Sequence, residues 1–392
     1  MEHSYYRDTR IEVDLDAIKH NITQFRQVLS TDTNILVAVK ADAYGHGAVT
    51  VSQAALSAGA THLGVAFVDE GIQLREAQIG APILVFGYVP PYAIEAALLA
   101  DLTLTVYDLE HMKQIADVAE KIEKKAKIHL KVDTGMGRLG IPPKEVISFI
   151  HQIQKRESVE LEGIYTHFAT ADDQHSDYFD LQLTQFEGIL QQLKQLGIEI
   201  PLRHAANSSA TLRLKQKCCN LVRIGISLYG FQDVSNPQVQ LKRALSLKSS
   251  ITQVKCLPGG SGVSYGKTYT TSHDEWIATI PIGYADGISR QLSNKGIALV
   301  NGTRVPVIGR VCMDQLMLRV NDAMPVSIGD EVVLIGKQEN QEITADEIAD
   351  QLDTIHYEVV TRLGSRIPRL YFEHGEQIST RNILHSHGKA ER

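Results

Sequence analysis

Eight short apolar runs constrain the fold of this chain most: 35–39, 62–67, 83–88, 102–107, 128–132, 161–168, 202–206 and 221–228. They are rich in β-branched residues and mostly lack strict apolar–polar alternation, as expected of strands buried on both faces. Between them, at 48–58, 68–77, 91–99, 109–125, 144–155 and 180–196, lie stretches that read as helices. Strand and helix in alternation imply parallel strands with right-handed crossovers. Eight such units in about 200 residues are the size of a closed (β/α)8 barrel. An open doubly wound sheet is the competing α/β arrangement, weakened because no GxGxxG follows the first run.

Near Leu245 the pattern changes. Runs at 245–254, 276–281, 297–300, 305–308, 316–320 and 331–335 are joined by Gly, Pro and Asn turns, as in a mainly β domain. Asn301-Gly302 between two apolar runs is a hairpin signal. Thr344, with Glu347 three residues on, forms a capping box for a helix over 344–352. The expected organisation is a (β/α)8 TIM barrel at 1–243 followed by a C-terminal β-strand domain at 244–392. The polar end, 379–392, reads as frayed.

Composition narrows the function. The chain has 392 residues, 43% hydrophobic and 22% charged, which excludes wholesale disorder or coiled coil. Lys and Arg number 39 and Asp and Glu 46, a net charge of −7 that disfavours nucleic acid or an anionic membrane as partner. Cys218, Cys219, Cys256 and Cys312 form no CxxC pair, so no zinc site and no disulfide framework is expected. Residues 1–10 do not read as a signal peptide, and Pro82, Pro90, Pro91 and Glu95 break the most apolar stretch, so a cytoplasmic location is expected.

Barrel chemistry sits at the C-terminal ends of the strands. Those ends carry Lys40, Arg138, His167, Asn207-Ser208 and Arg223 with Gly225-Ile226. Singly, each has an ordinary explanation: a rim lysine, a core histidine, a paired arginine, a helix cap. Together they form a cationic mouth on an acidic protein, suited to an anionic ligand. A mouth lysine can form a Schiff base. Loops after the seventh and eighth strands bind phosphate. Aldehyde, phosphate and lysine together describe pyridoxal 5′-phosphate. Arg223 would then sit where the pyridine nitrogen needs a partner.

The motifs extend this over nearly the whole chain. AVKADAYGHG at 38–47 resembles the cofactor-lysine signature of bacterial alanine racemases. The likeness continues in KVDTGMGRLG at 131–140, THFA at 166–169, HAANS at 204–208, RIG at 223–225, SYG at 264–266, GYADG at 283–287, GRVCMD at 309–314 and LGSR at 363–366. The resemblance implies a homodimer that interconverts L- and D-alanine with two bases, supplying D-alanine for peptidoglycan or degrading it. It implies that Lys40 carries the cofactor and serves as one base, with Tyr265 from the other subunit as the second. Tyr44, Ser208, Gly225, Ile226 and Tyr357 would hold the phosphate, beside Asn207. Arg138 would bind the substrate carboxylate, helped by the Met313 backbone N–H from the other subunit. His167 would bond Tyr265, with Arg223 beside His167. Tyr284, Asp314, Arg290 and Arg310 would lie in or near the entrance from that subunit. Lys131, near Arg138, matches a lysine that is carbamylated in some relatives. Alternatives of related chemistry are a broader-specificity amino-acid or serine racemase, and a barrel decarboxylase for basic amino acids, whose Cys/Asp motif is not seen. A non-enzymatic cofactor-binding barrel would have no second domain.

Overall fold

The computed structural model describes residues 5–173, 175–213, 219–234 and 236–385. The chain divides into two compact units: Ala17–Ala43 with Ala48–Arg243, and Met1–Asp16 with Tyr44–Gly47 and Ala244–Arg392.

The first unit is a barrel of eight parallel strands: Asn34–Ala38, His62–Val65, Ile83–Val85, Thr103–Val106, Ala126–Lys131, Val159–Tyr165, Leu202–His204 and Leu221–Ile224. Each pairs with the next in sequence up to the seventh, and the eighth pairs with the first, from Asn34↔Leu221 to Val37↔Ile224. Two backbone bonds, Asn220 N–H to Arg203 O (3.1 Å) and Arg223 N–H to Ala206 O (3.0 Å), bring the seventh and eighth strands together, so the barrel is nearly closed. Each of the eight apolar runs overlaps a strand. Most runs outlast their strand because the last residues leave the sheet and turn into the loops of the C-terminal face. The strands are buried on both faces; Leu36, Val37, Leu63, Val65, Leu104 and Val106 are wholly inaccessible.

Six helices fall where the periodicity places them, including Pro91–Leu99 with Pro91 in its first turn and Leu109–Lys121, capped by Asp108 accepting from His111 N–H at 2.8 Å. Helix Leu15–Val28 was not anticipated. Its apolar face, Ile18, Ile22 and Phe25, is interrupted by Asn21, which is fully buried and donates to the Leu228 and Lys242 carbonyls.

The second unit is built on an eleven-stranded mixed sheet among the described residues. Strand Arg10–Asp14, unrecognised in the sequence, pairs antiparallel with Leu245–Ser250 and parallel with Arg369–Glu373. The run at 245–254 is not one strand. It breaks at Ile251-Thr252, whose N–H groups donate to Asp330 and Thr279, and resumes as Gln253–Leu257. The Asn301-Gly302 hairpin joins Ile297–Val300 to Thr303–Ile308 with both turn residues at positive φ (49° and 67°), the geometry of a type I′ turn. Helix Ala345–Leu352 is capped by Thr344, which accepts from Glu347 N–H at 3.1 Å. The expected fraying from 379 onward is corrected over 379–381. Strand Glu376–Arg381 pairs Ser379 with Tyr371 and Thr380 with Leu370, backbone bonds holding an edge whose side chains are polar. Residues 386–392 and Cys218 lie outside the described residues; Cys256 and Cys312 are free thiols. No described helix is long and apolar enough to cross a membrane.

Candidate active site

Lys40 lies two residues beyond the first barrel strand, half-buried. The chain after it enters one turn of left-handed helix, with φ of 51° to 55° at Ala41, Asp42, Ala43 and Tyr44. That region costs an L-residue about 1–2 kcal/mol each, so the surroundings must hold it. Ala41 N–H donates to Glu70 Oε1 (2.6 Å), Ala43 N–H to Val39 O (2.8 Å), and Ala48 N–H to Asp42 Oδ1 (2.9 Å). Burial first, then the Arg138 charge, lowers the pKa of Lys40; Glu70 opposes them.

The loop after the fifth strand is folded by Asp133, whose carboxylate accepts from Gly135 and Gly137 N–H at 2.9–3.1 Å. It presents exposed Arg138 at the mouth. His167 follows the sixth strand. Its carbonyl accepts from Gln182 (3.1 Å), a fully buried side chain that also accepts from Ala169 N–H (2.8 Å).

Arg223 organises the interior. It is 5% exposed and has no carboxylate partner among the described residues. Its guanidinium donates to the Thr166 and Ala205 carbonyls (both 2.9 Å), to His204 Nδ1 (2.9 Å) and to His167 Nδ1 (3.1 Å). Burial pulls its pKa down to about 10, so it stays charged near neutrality. Burial and that charge hold His167 and His204 well below the usual histidine range. A guanidinium only donates, so each neutral ring accepts at Nδ1 and carries its proton on Nε2. The donor chain therefore continues from His204 Nε2 to His129 Nδ1 (2.9 Å) and from His129 Nε2 to Glu162 (3.3 Å). His167 is left with an Nε2–H to offer. Tyr165 stacks on His204 at 4.5 Å, and the Lys131 ammonium lies over the Tyr165 ring, 4.2 Å from its centre. Lys131 is buried, and burial followed by Arg223 and Arg138 lowers its pKa strongly.

Across the mouth, Asn207 Oδ1 caps helix Ser208–Arg213 by accepting from Ala210 N–H (2.9 Å). The helix-cap explanation of Asn207 is therefore correct as far as its Oδ1 goes. Ser208 Oγ accepts from Gly225 N–H (2.9 Å), next to buried Ile226.

The remaining residues belong to the second unit. Tyr44 is buried, its hydroxyl pushed up to about 12 by burial, and its ring lies 6.1 Å from that of Tyr357. Gly45 and Gly47 both have positive φ, and a Cβ would strike Val360 O and the Tyr371 hydroxyl; they are more than loose turn residues. Tyr265 is 72% exposed. Ser264, at φ 62°, precedes it and donates to Arg310 O (2.7 Å). Tyr284 N–H donates to Cys312 O (2.9 Å) and Ala285 N–H to Met313 O (3.0 Å), locking the 283–287 loop onto the strand-end segment of Met313. Asp314 pairs with Arg366 at 2.7 Å. Sequence reasoning missed Glu70, Gln182, Tyr165 and the His204–His129–Glu162 chain as parts of the site. A polar residue inside an apolar strand, as at His129 and His204, is the signal that could have found the last.

The chain matches the family model "Alanine racemase, N-terminal domain" over residues 13–233 and "Alanine racemase, C-terminal domain" over 244–371. It is 47% identical over 393 residues to an alanine racemase of Halalkalibacterium halodurans, covering 98% of this chain and all of that one. It is 46% identical over 376 residues to alanine racemase 1 of Oceanobacillus iheyensis, covering 95% and 100%. The crystal structure of alanine racemase from Bacillus anthracis with bound L-Ala-P superposes with a TM-score of 0.92 at 43% identity, covering 97% of this chain and 99% of that one. With both family halves matched in order and the barrel and β unit in the same fold, the chain belongs to the alanine racemase family.

Proposed function

We propose that the chain interconverts L- and D-alanine with pyridoxal 5′-phosphate carried on Lys40. The observation that carries this reading is Arg223: a buried, charged guanidinium satisfied only by carbonyls and neutral imidazoles, its Nε without a hydrogen bond among the described residues. Such a donor fits a ring nitrogen that accepts a hydrogen bond, which suits this cofactor. Lys40 would hold its aldehyde. Ser208, Gly225 and Ile226, with Tyr44 and Tyr357, would hold its phosphate beside Asn207. When bound, the cofactor supplies the electron sink that makes the α-proton of alanine removable.

The protein's own groups move that proton. The lowered pKa of Lys40 increases its neutral, proton-accepting fraction. On the opposite face the second base is the partner subunit's Tyr265. Its support here is that Tyr265 is exposed on its own unit and that His167 has an Nε2–H to donate to a phenolate. Arg138 and the backbone N–H of the partner subunit's Met313 bind the carboxylate, with the partner's Tyr284, the partner's Asp314, the partner's Arg290 and the partner's Arg310 in or near the entrance. Lys131, buried and with no carboxylate within ion-pair distance among the described residues, is held toward the neutral amine that adds carbon dioxide; carbamylated, it would present an anion to Arg138. The product serves the supply or removal of D-alanine.

Borohydride reduction of the loaded protein followed by peptide mapping tests the reading: the label belongs on Lys40, and a label elsewhere contradicts it. Tyr265→Phe is expected to slow racemisation by about 10²–10⁴-fold with an unchanged melting curve, because one proton-transfer group is lost. Arg223→Glu is expected to slow racemisation and to raise the keto acid formed per turnover, because a carboxylic acid can protonate the ring nitrogen that Arg223 leaves unprotonated. An unchanged ratio of keto acid to D-alanine would show that Arg223 has no such role.

A further inference from the structure

Glu70 sits in the third position of helix Val68–Glu76, where a carboxylate commonly caps. One oxygen does this: Oε2 accepts from Ala66 N–H at 2.6 Å and Phe67 N–H at 3.2 Å. Capping leaves the other oxygen without a task, yet Oε1 accepts from Ala41 N–H at 2.6 Å. Ala41 is the residue after Lys40 and the first of the left-handed turn. A single carboxylate thus ties the end of the second barrel strand to the backbone at Lys40, with short, charge-assisted bonds.

We infer that Glu70 is a positioning residue for Lys40, clamping the backbone from which the lysine projects. This rests on Lys40 as the cofactor-bearing residue. Alanines at 41 and 43 have no preference for positive φ. The bonds from Ala43 N–H to Val39 O and from Ala48 N–H to Asp42 Oδ1 also brace the turn, but only Glu70 engages the Ala41 N–H, on the peptide that follows Lys40. Glu70 also places a negative charge near Lys40, opposing the effects of burial and Arg138 on the amine. Glutamine cannot replace it. The amide has one accepting oxygen and one donating NH2, so either Ala41 N–H or the Ala66 and Phe67 pair would face a donor.

The test measures the rate at which pyridoxal 5′-phosphate becomes borohydride-trapped on Lys40 of the apo-protein, across pH, by mass spectrometry of the Lys40 peptide. In Glu70→Gln the high-pH plateau, where the amine is neutral in both proteins, is expected to fall about tenfold through misplacement of the amine. The pH of half-maximal labelling is expected to fall as well, because the carboxylate no longer favours the charged amine. Asp108→Ala, which removes a helix cap elsewhere in the barrel, controls for lost capping and is expected to label like the wild type. A Glu70→Gln plateau equal to wild type, or an equal loss in Asp108→Ala, overturns the inference. Wild-type protein unlabelled at Lys40 would instead overturn the reading on which it rests.

Discussion

Lys40→Ala is expected to lose alanine racemisation by about 10³-fold or more while keeping the wild-type melting temperature. The loss is large because, in the proposed function, one amine has two tasks, anchoring the cofactor and accepting the α-proton. The fold should survive because Lys40 lies outside the strands, half-buried at the mouth, and the turn that follows it is held by Glu70, Val39 and Asp42 rather than by the lysine side chain. Lys40→Arg should fail nearly as badly despite keeping the charge, because a guanidinium stays protonated and neither links to an aldehyde nor accepts a proton. Assays of D-alanine formation, paired with thermal melts, check both variants. Activity in Lys40→Ala near the wild-type level would contradict the assignment.

Asp286→Ala is expected to destabilise the C-terminal β unit by about 3–5 kcal/mol, the usual result of removing one partner from a buried ionic cluster. Asp286 is fully buried. It accepts from Arg7 Nη1 and Nη2, both at 2.6 Å, from Arg366 Nε at 2.7 Å and from Gly283 N–H at 3.0 Å. Burial alone would raise its pKa, but the Arg7 and Arg366 hydrogen bonds together lower it below the ordinary aspartate value. A depressed folded-state pKa gives stability that is present above the unfolded value, near 3.9, and is lost as pH falls through the folded pKa. Urea unfolding of wild type should therefore weaken on acidification below about pH 4, and Asp286→Asn should remove part of that acid sensitivity. An Asp286→Ala protein as stable as wild type near pH 7 would show that the cluster contributes nothing.

The barrel was legible because its strands are buried on both faces, so β-branched runs and helical spacing alternate without ambiguity. The candidate mouth residues stand out in the same way: Lys40 and His167 where apolar runs end, and Arg223 as a charge inside one. Other features depend on contacts that local pattern does not encode. Arg10–Asp14 becomes a strand by pairing with Leu245–Ser250 and Arg369–Glu373, far away in sequence. Glu376–Arg381 is polar, and only backbone pairing makes it a strand. The left-handed turn at Ala41–Tyr44 contradicts alanine's own preference, so no propensity could announce it. Glu70 reads in sequence as a helix-cap residue, which it is; its second oxygen acquires a role only because the fold brings Ala41 within reach.

The central claim is that this chain racemises alanine through Lys40 and a cofactor held at the barrel mouth. The most direct measurement is enantiomer-resolved product formation from L-alanine, L-serine and L-lysine by the protein loaded with pyridoxal 5′-phosphate. D-alanine is expected to accumulate until the two enantiomers are equal, with serine and lysine converted far more slowly. No D-alanine from a loaded protein would contradict the claim, and equal rates on all three amino acids would replace it with a racemase of broad specificity.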